Sequence, residues 1–292
     1  MFNFLKNNKA GGGAILVFDI GGTKMRVAVS RDGKTFDEPK IVQTPKNFEE
    51  GMAAFRKLVN EAAGESALRV LCGGVPGVLN RDGATIFDLP NLPGWNGKPI
   101  KAELEKMFGV PVYLENDSVL VGLGEAVAGA GKGHNIVAYM TVSTGVGGAR
   151  IVGGRIDEKV FGFEPGWQII NFADLAKNED SGYLGRYVSG SAVQDRFGKH
   201  PAEIKEQSVL EELSSELAVG LHNAVLFWSP DIVVLGGSMI TGVNPIPLDK
   251  VELKLRGLLT MFPEAPMIKK AVLGDFGGLY GSLELVRQRL GS

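Results

Sequence analysis

The chain has 292 residues, 44% of them hydrophobic and 22% charged, and 31 Lys and Arg stand against 33 Asp and Glu for a formal net charge of -2. That is the balance of a globular protein with a sizeable core, one large domain or two medium ones. No Lys/Arg-rich block marks a polyanion-binding surface and no apolar run reaches the length of a membrane span, so neither a nucleic acid nor a membrane is expected as partner.

A single cysteine, Cys72, excludes an intrachain disulfide and a thiolate zinc cluster. His134, His200 and His222 are scattered without metal-ligand spacing. The opening MFNFLKNNKAGGG is too short and too polar to read as a signal peptide, and a cytoplasmic setting is expected. Glycine stands out: 41 residues, many in doublets at the ends of apolar runs. Backbones turn tightly or approach ligands closely at such places.

In chain order, residues 14–30 read as strand, turn, strand around LVFDIGGTKMRVAV. Asp19 ends the apolar run, where burial is costly unless the carboxylate is paired or bound to a metal. Gly21, Gly22, Thr23 and Lys24 follow, a hydroxyl and a cation beside exposed N–H groups. The glycines suit a hairpin turn and a phosphate-binding loop equally. The stretch matches neither the Walker A pattern nor the dinucleotide G-x-G-x-x-G.

Asn47 is placed to cap a helix through FEEGMAAFRKLVNEAAG, with Met52, Phe55, Leu58 and Val59 at helical spacing. A short strand, 68–72, runs into GGVPGV, and the turn-rich TIFDLPNLPGWNGKP follows. A helix over 100–108 and a strand over 110–114 lead to Glu115-Asn116-Asp117, where a helix of small residues begins. Asp117 there is either a helix cap or a carboxylate that takes a proton from a substrate hydroxyl.

At Ile136 the opening pattern returns as NIVAYMTVSTGVGGARIVGGRI, again strand, glycine turn, strand. The echo suggests a duplicated fold with two facing halves that hold one polyphosphate. Residues 160–190 read as irregular, 208–227 as a long helix, DIVVLGGSM as a strand ending in Gly236-Gly237, and GDFGGLYGSLELVRQRL as a closing helix. Trp228 reads as core, whereas Trp95 and Trp167 are open between core and sugar platform.

The ordered set DIGGTK, GGVPGV, PNLPGW, END, TVSTGVGGA, DIVVLGGSM and GGLYGSL resembles the ROK family of sugar kinases and repressors, within the actin, sugar-kinase and Hsp70 superfamily. The resemblance implies an α/β chain of two duplicated ribonuclease-H-like (actin-like ATPase) domains with a cleft between them. We expect them over 1–118 and 119–292, with the last helix, about 281–291, packing back on the first.

By that resemblance the chain is an ATP-dependent kinase for a glucose-like hexose or an N-acetylhexosamine. Asp19, Gly21, Gly22, Thr23 and Lys24 meet the phosphates, with Mg²⁺ at Asp19 through water. Thr144, Gly145 and Gly147 form the opposing phosphate loop, and Gly236 and Gly237 lie by the adenosine. Asn91, Asn116, Asp117, Glu164 and Trp167 meet the sugar, and Asp117 is the base. A homodimer is carried over in the same way. The chain departs from the family at two places: Trp167 stands where a histidine is usual, and Gly185 where a glutamate often is. The cysteine-rich zinc loop is replaced by SGYLGRYVSG, so no zinc is expected. A repressor is disfavoured by the short stretch ahead of the first strand. A sugar-binding regulatory protein with weak or no turnover remains the alternative.

Overall fold

The structure is a computed structural model that describes residues 13–80, 82–87, 89 and 91–291. The chain divides into two units, Met1–Asp117 with Ser282–Ser292, and Ser118–Gly281.

The first unit holds β1 (Ala14–Ile20), β2 (Lys24–Ser30), β3 (Lys40–Gln43), α1 (Phe48–Ala63), β4 (Leu68–Val75), β5 (Val78–Leu79), β6 (Ile86–Phe87), α2 (Ile100–Phe108) and β7 (Val112–Asn116). Its main sheet runs β3-β2-β1-β4-β7, antiparallel across the first three strands and parallel onward from β1 to β4 to β7. The apolar run of β1 is buried at every position but Asp19, as befits a strand covered on both faces. The Asn47 side chain accepts from the Glu50 N–H and caps α1. Phe48, Met52, Phe55 and Val59 of α1 then face the sheet.

Two glycine-rich stretches differ from the sequence expectation. The Gly73-Gly74 pair continues β4 as strand. A Cβ on Gly73 would fall 2.3 Å from the Phe18 ring, so the missing side chain makes room for an aromatic on the neighbouring strand. Trp95, in the turn-rich PNLPGW, is fully buried core. Its ring passes Gly51 of α1, where a Cβ would lie 2.1 Å away, meets Phe48 edge-on at 5.1 Å, and donates its indole N–H to the Pro45 carbonyl at 3.1 Å. Trp95 is therefore not a sugar platform.

The second unit holds α3 (Asp117–Val127, all but its first residue), β8 (Ile136–Val142), β9 (Val146–Val152), β10 (Arg155–Ile156), α4 (Phe172–Leu175), α5 (Gly185–Val188), α6 (Gly190–Phe197), α7 (Gln207–Trp228), β11 (Ile232–Gly236), α8 (Ser238–Thr241), α9 (Leu248–Leu258), β12 (Met267–Lys270) and the start of α10 (Gly277–Leu290). Its sheet runs β10-β9-β8-β11-β12. Taken as first to fifth, the strands of both main sheets follow one order: third, second, first, fourth, fifth. The echo at Ile136 is thus a repeat of topology as well as of sequence. Residues 160–190, expected to be irregular, contain a helical turn at Pro165–Trp167 and the short α4 and α5. Leu213, Leu217, Leu221 and Val225 of α7 pack into the core below the sheet, and Trp228 rests half-buried and edge-on against Phe163 at 5.3 Å. The helix stops at Ser229, at φ 45°, just before Pro230.

Helices α3 and α10 cross on glycines. A Cβ on Gly281 would lie 1.8 Å from the Leu120 carbonyl oxygen, and one on Gly124 would lie 2.3 Å from that of Gly277. Helix axes can come this close only where the side chains are absent. Among the described residues no helix is long and apolar enough to cross a membrane.

Candidate active site

In the first unit, strand register gathers the candidate residues at one sheet edge. Asp19 is level with Gly74 across β1 and β4, and Val75 is level with Asn116 across β4 and β7. All lie at the carboxyl ends of parallel strands, the edge where open α/β sheets bind ligands. The Asp19 carboxylate, 19% exposed, is paired with the Arg26 guanidinium at 3.1 Å. That pairing offsets the cost of a charge at the end of an apolar strand.

The turn after Asp19 is held from behind by the segment that follows β3. The Gly21 N–H donates to the Lys24 carbonyl at 2.8 Å, the Thr44 N–H to Thr23 at 2.8 Å, and the Thr44 hydroxyl to Gly21 at 2.7 Å. The Lys46 ammonium donates to the carbonyls of Gly22 at 3.0 Å and Asn91 at 2.8 Å. Neither Gly21 nor Gly22 has positive φ, so this is not the primed hairpin that would demand glycine for its backbone. Gly22 serves a close approach: a Cβ there would stand 3.0 Å from that of Asn91. Thr23 and Lys24 are exposed.

Asn116 donates its side-chain amide to the Gly77 carbonyl at 2.9 Å, tying the end of β7 to the Pro76-Gly77 turn. Asp117 is the first residue of α3 and is half-buried. A carboxylate in a first helical turn gains about 0.3–1 kcal/mol from the helix dipole.

In the second unit, the turn between β8 and β9 spans residues 143–145. Its carbonyls bind the start of α6: Gly190 N–H donates to Ser143 at 2.7 Å, and Ser191 donates to Thr144 from its N–H at 3.3 Å and its hydroxyl at 2.9 Å. The hydroxyls of Ser143 and Ser238 meet at 3.2 Å. Gly145 is exposed, its φ is not positive, and a Cβ there would meet nothing within 4 Å. Among the described residues nothing requires glycine at this position. Gly147, expected in the loop, lies inside β9 opposite Thr141, and a Cβ there would stand 2.8 Å from the Ser118 hydroxyl. Gly236 ends β11 level with Thr141. Gly237, at φ 87°, passes so near Val142 that a Cβ would lie 2.3 Å from its carbonyl oxygen.

Glu164 opens the Pro165–Trp167 turn, and its carbonyl accepts the Trp167 N–H at 3.1 Å. The turn packs on β9, since a Cβ on Gly166 would fall 2.4 Å from the Val146 oxygen. Trp167 is 55% exposed and meets Tyr183 edge-on at 5.3 Å. Gly185 packs behind the same turn, where a Cβ would be 3.3 Å from the Gly166 oxygen.

The segment after this turn is closed by polar contacts. Gly182 accepts the N–H groups of Ile170 at 2.8 Å and Asn171 at 3.1 Å. The Asp174 carboxylate accepts from the Tyr187 hydroxyl at 2.6 Å, Asn171 at 2.9 Å and Lys177 at 3.1 Å. The Tyr187 bond foremost, and then Lys177, hold the Asp174 carboxyl below the usual range, while burial and Asp174 push the Tyr187 phenol up to about 12. Residues 168–190 contain neither His nor Cys, and Cys72 is buried in β4, so a zinc site does not fit the residues present. A groove of about 930 Å³ between α1 and α2 holds none of the candidate residues.

Lys46 and Ser191 contact the candidate turns from outside every motif of the sequence, and their contacts span distant segments. Ser143 and Ser238 meet from within the motifs TVSTGVGGA and DIVVLGGSM.

A family model described as "ROK family" matches residues 15–289. The chain is 27% identical to the glucokinase of Streptomyces coelicolor over 94% of this chain and 98% of that protein. It is 28% identical to the N-acetyl-D-glucosamine kinase of Pasteurella multocida over 92% and 97%. A ROK family glucokinase from Streptomyces griseus, solved in complex with glucose and AMPPNP, superposes with a TM-score of 0.77 at 26% identity, over 94% of this chain and all of that one. The repeated strand order agrees with the actin-like ATPase fold of these neighbours. The edge residues and the match across nearly the whole chain lead to one conclusion: this chain belongs to the ROK family.

Proposed function

We propose that the chain is an ATP-dependent sugar kinase acting on a glucose-like hexose or an N-acetylhexosamine. The observation that carries this reading is the sheet edge of the first unit, where Asp19 near the end of β1, and Asn116 with Asp117 where β7 gives way to α3, stand at the carboxyl ends of parallel strands on either side of β4. One carboxylate there suits a nucleotide-bound cation and the other an acceptor hydroxyl. The relatives named as kinases of glucose and of N-acetyl-D-glucosamine support both acceptors.

Asn91, Asn116 and Glu164 bind sugar hydroxyls, and the exposed Trp167 lies against a sugar face. The N–H groups of Gly21, Gly22 and Thr23 and the Lys24 ammonium meet the nucleotide phosphates from the first unit. Thr144 and Gly145 form a further phosphate loop, Gly147 lets the strand behind it close up on Ser118, and Gly236 and Gly237 lie along the adenosine. Asp117 accepts the proton of the attacking hydroxyl as its oxygen bonds to the γ-phosphorus. The bond from that phosphorus to the β-γ bridging oxygen breaks and ADP departs. Asp19 fits the single-carboxylate role that a magnesium ion asks of a protein when phosphates supply its other ligands. When bound, that ion neutralises charge on the phosphates.

The test is ADP release across a panel of hexoses and N-acetylhexosamines, with Asp117→Ala beside the parent chain. Sugar-dependent ADP release lost in the variant supports the reading. Release from no sugar favours the regulatory alternative, and normal turnover in the variant overturns Asp117 as base.

A further inference from the structure

We infer that Lys46 is a positioning residue that locks the sugar-binding Asn91 loop to the phosphate-binding turn, so that acceptor and phosphoryl group are held in one register. This rests on the kinase reading above. Lys46 lies outside every motif of the chain, in the connection between β3 and α1.

The geometry is specific. One ammonium reaches the carbonyl of Gly22, in the middle of the turn, at 3.0 Å and the carbonyl of Asn91 at 2.8 Å. Backbone from the two segments is already close, with Gly22 leaving room for the Asn91 side chain. The Lys46 backbone is fixed independently. The buried Trp95 donates to Pro45, and Gly94 packs on the Lys46 carbonyl, from which a Cβ would be 2.6 Å away. The chain path at residue 46 therefore does not depend on the ammonium. What the ammonium adds is a charged link across two loops with different ligands.

Two of the three ammonium N–H groups are taken by those carbonyls. A hydrophobic side chain of similar length would leave two carbonyls without their charged donor and free the loops to move apart. Arginine, with several donors in a fork, can span both carbonyls and keep the link.

The experiment compares the parent chain with Lys46→Met and Lys46→Arg. KM for sugar, KM for ATP, kcat and melting temperature are read for each, with sugar binding by calorimetry as a readout free of turnover. Loss of a charged hydrogen bond predicts a rise in sugar KM and Kd on the order of tenfold in Lys46→Met. ATP KM stays within about twofold, the melting temperature stays at the parent value, and Lys46→Arg recovers most of the affinity. Sugar constants unchanged in Lys46→Met overturn the inference, as does a parallel loss of ATP affinity and stability, which marks a merely structural role. If the parent chain binds sugar but transfers no phosphate, the kinase reading fails by itself. The calorimetric difference between parent and Lys46→Met then still decides the role of Lys46.

Discussion

Gly145 offers a sharp separation of fold from function. Its φ is ordinary and a Cβ would touch nothing within 4 Å. Gly145→Ala therefore adds a methyl group to open space and removes freedom from the unfolded chain. Such a change stabilises by about 0.4–1 kcal/mol, a rise of about 1–3 °C in melting temperature for a chain of this size. If the turn cradles a phosphate, the same methyl group sits where the anion must come against backbone N–H. Loss of one charge-assisted hydrogen bond costs about 1.5–3 kcal/mol, so ATP KM rises about tenfold to a hundredfold. Thermal unfolding without ligand and initial rates against ATP read the two effects separately. An unchanged ATP KM refutes the phosphate assignment of this turn. A fall in melting temperature refutes the steric account.

Gly237→Ala is expected to do the opposite to stability. Positive φ and a carbonyl oxygen 2.3 Å from the new Cβ both oppose it, for a loss of at least about 2 kcal/mol, read by denaturant unfolding. Asp117→Ala should lower kcat by about a hundredfold to ten-thousandfold, the range of general base catalysis, and leave the unfolding midpoint near the parent value. The Asp174 carboxyl is held low by the Tyr187 hydroxyl and then by Lys177. A depressed folded value gives stability that is present above the unfolded value, about 3.9, and lost as pH falls through the folded one. Tyr187→Phe should therefore reduce the loss of stability on acidification below about pH 4, followed by thermal melts across pH; an unchanged acid limb speaks against the assignment.

The sequence made some features plain because their causes are local. Asn47 caps its helix through a residue three positions away, and the apolar run of β1 announces a strand covered on both faces. The glycine-turn echo at Ile136 was enough to expect a duplication, which the two strand orders display. What escaped has distant causes. Trp95 sits among prolines and glycines, yet the space for its ring is made by Gly51 in a helix far up the chain. Gly73 and Gly147 read as loop glycines but are strand residues, emptied for Phe18 and Ser118. Lys46 resembles any surface lysine until the two carbonyls it joins are brought together. In each case the residue is explained by a neighbour that only the fold supplies.

The first unit is written in two instalments. Residues 282–292 belong to it, but the whole of the second unit stands between them and Asp117 in the sequence. Leu283 and Val286, nearly or fully buried, come from that late segment. A ribosome therefore releases the bulk of the first unit long before the piece that completes it. Domains folding in order of synthesis do not strictly apply here: the second unit, continuous in sequence, can finish before the one that began first. Shortening the chain at its carboxyl end would then damage the half of the molecule made earliest.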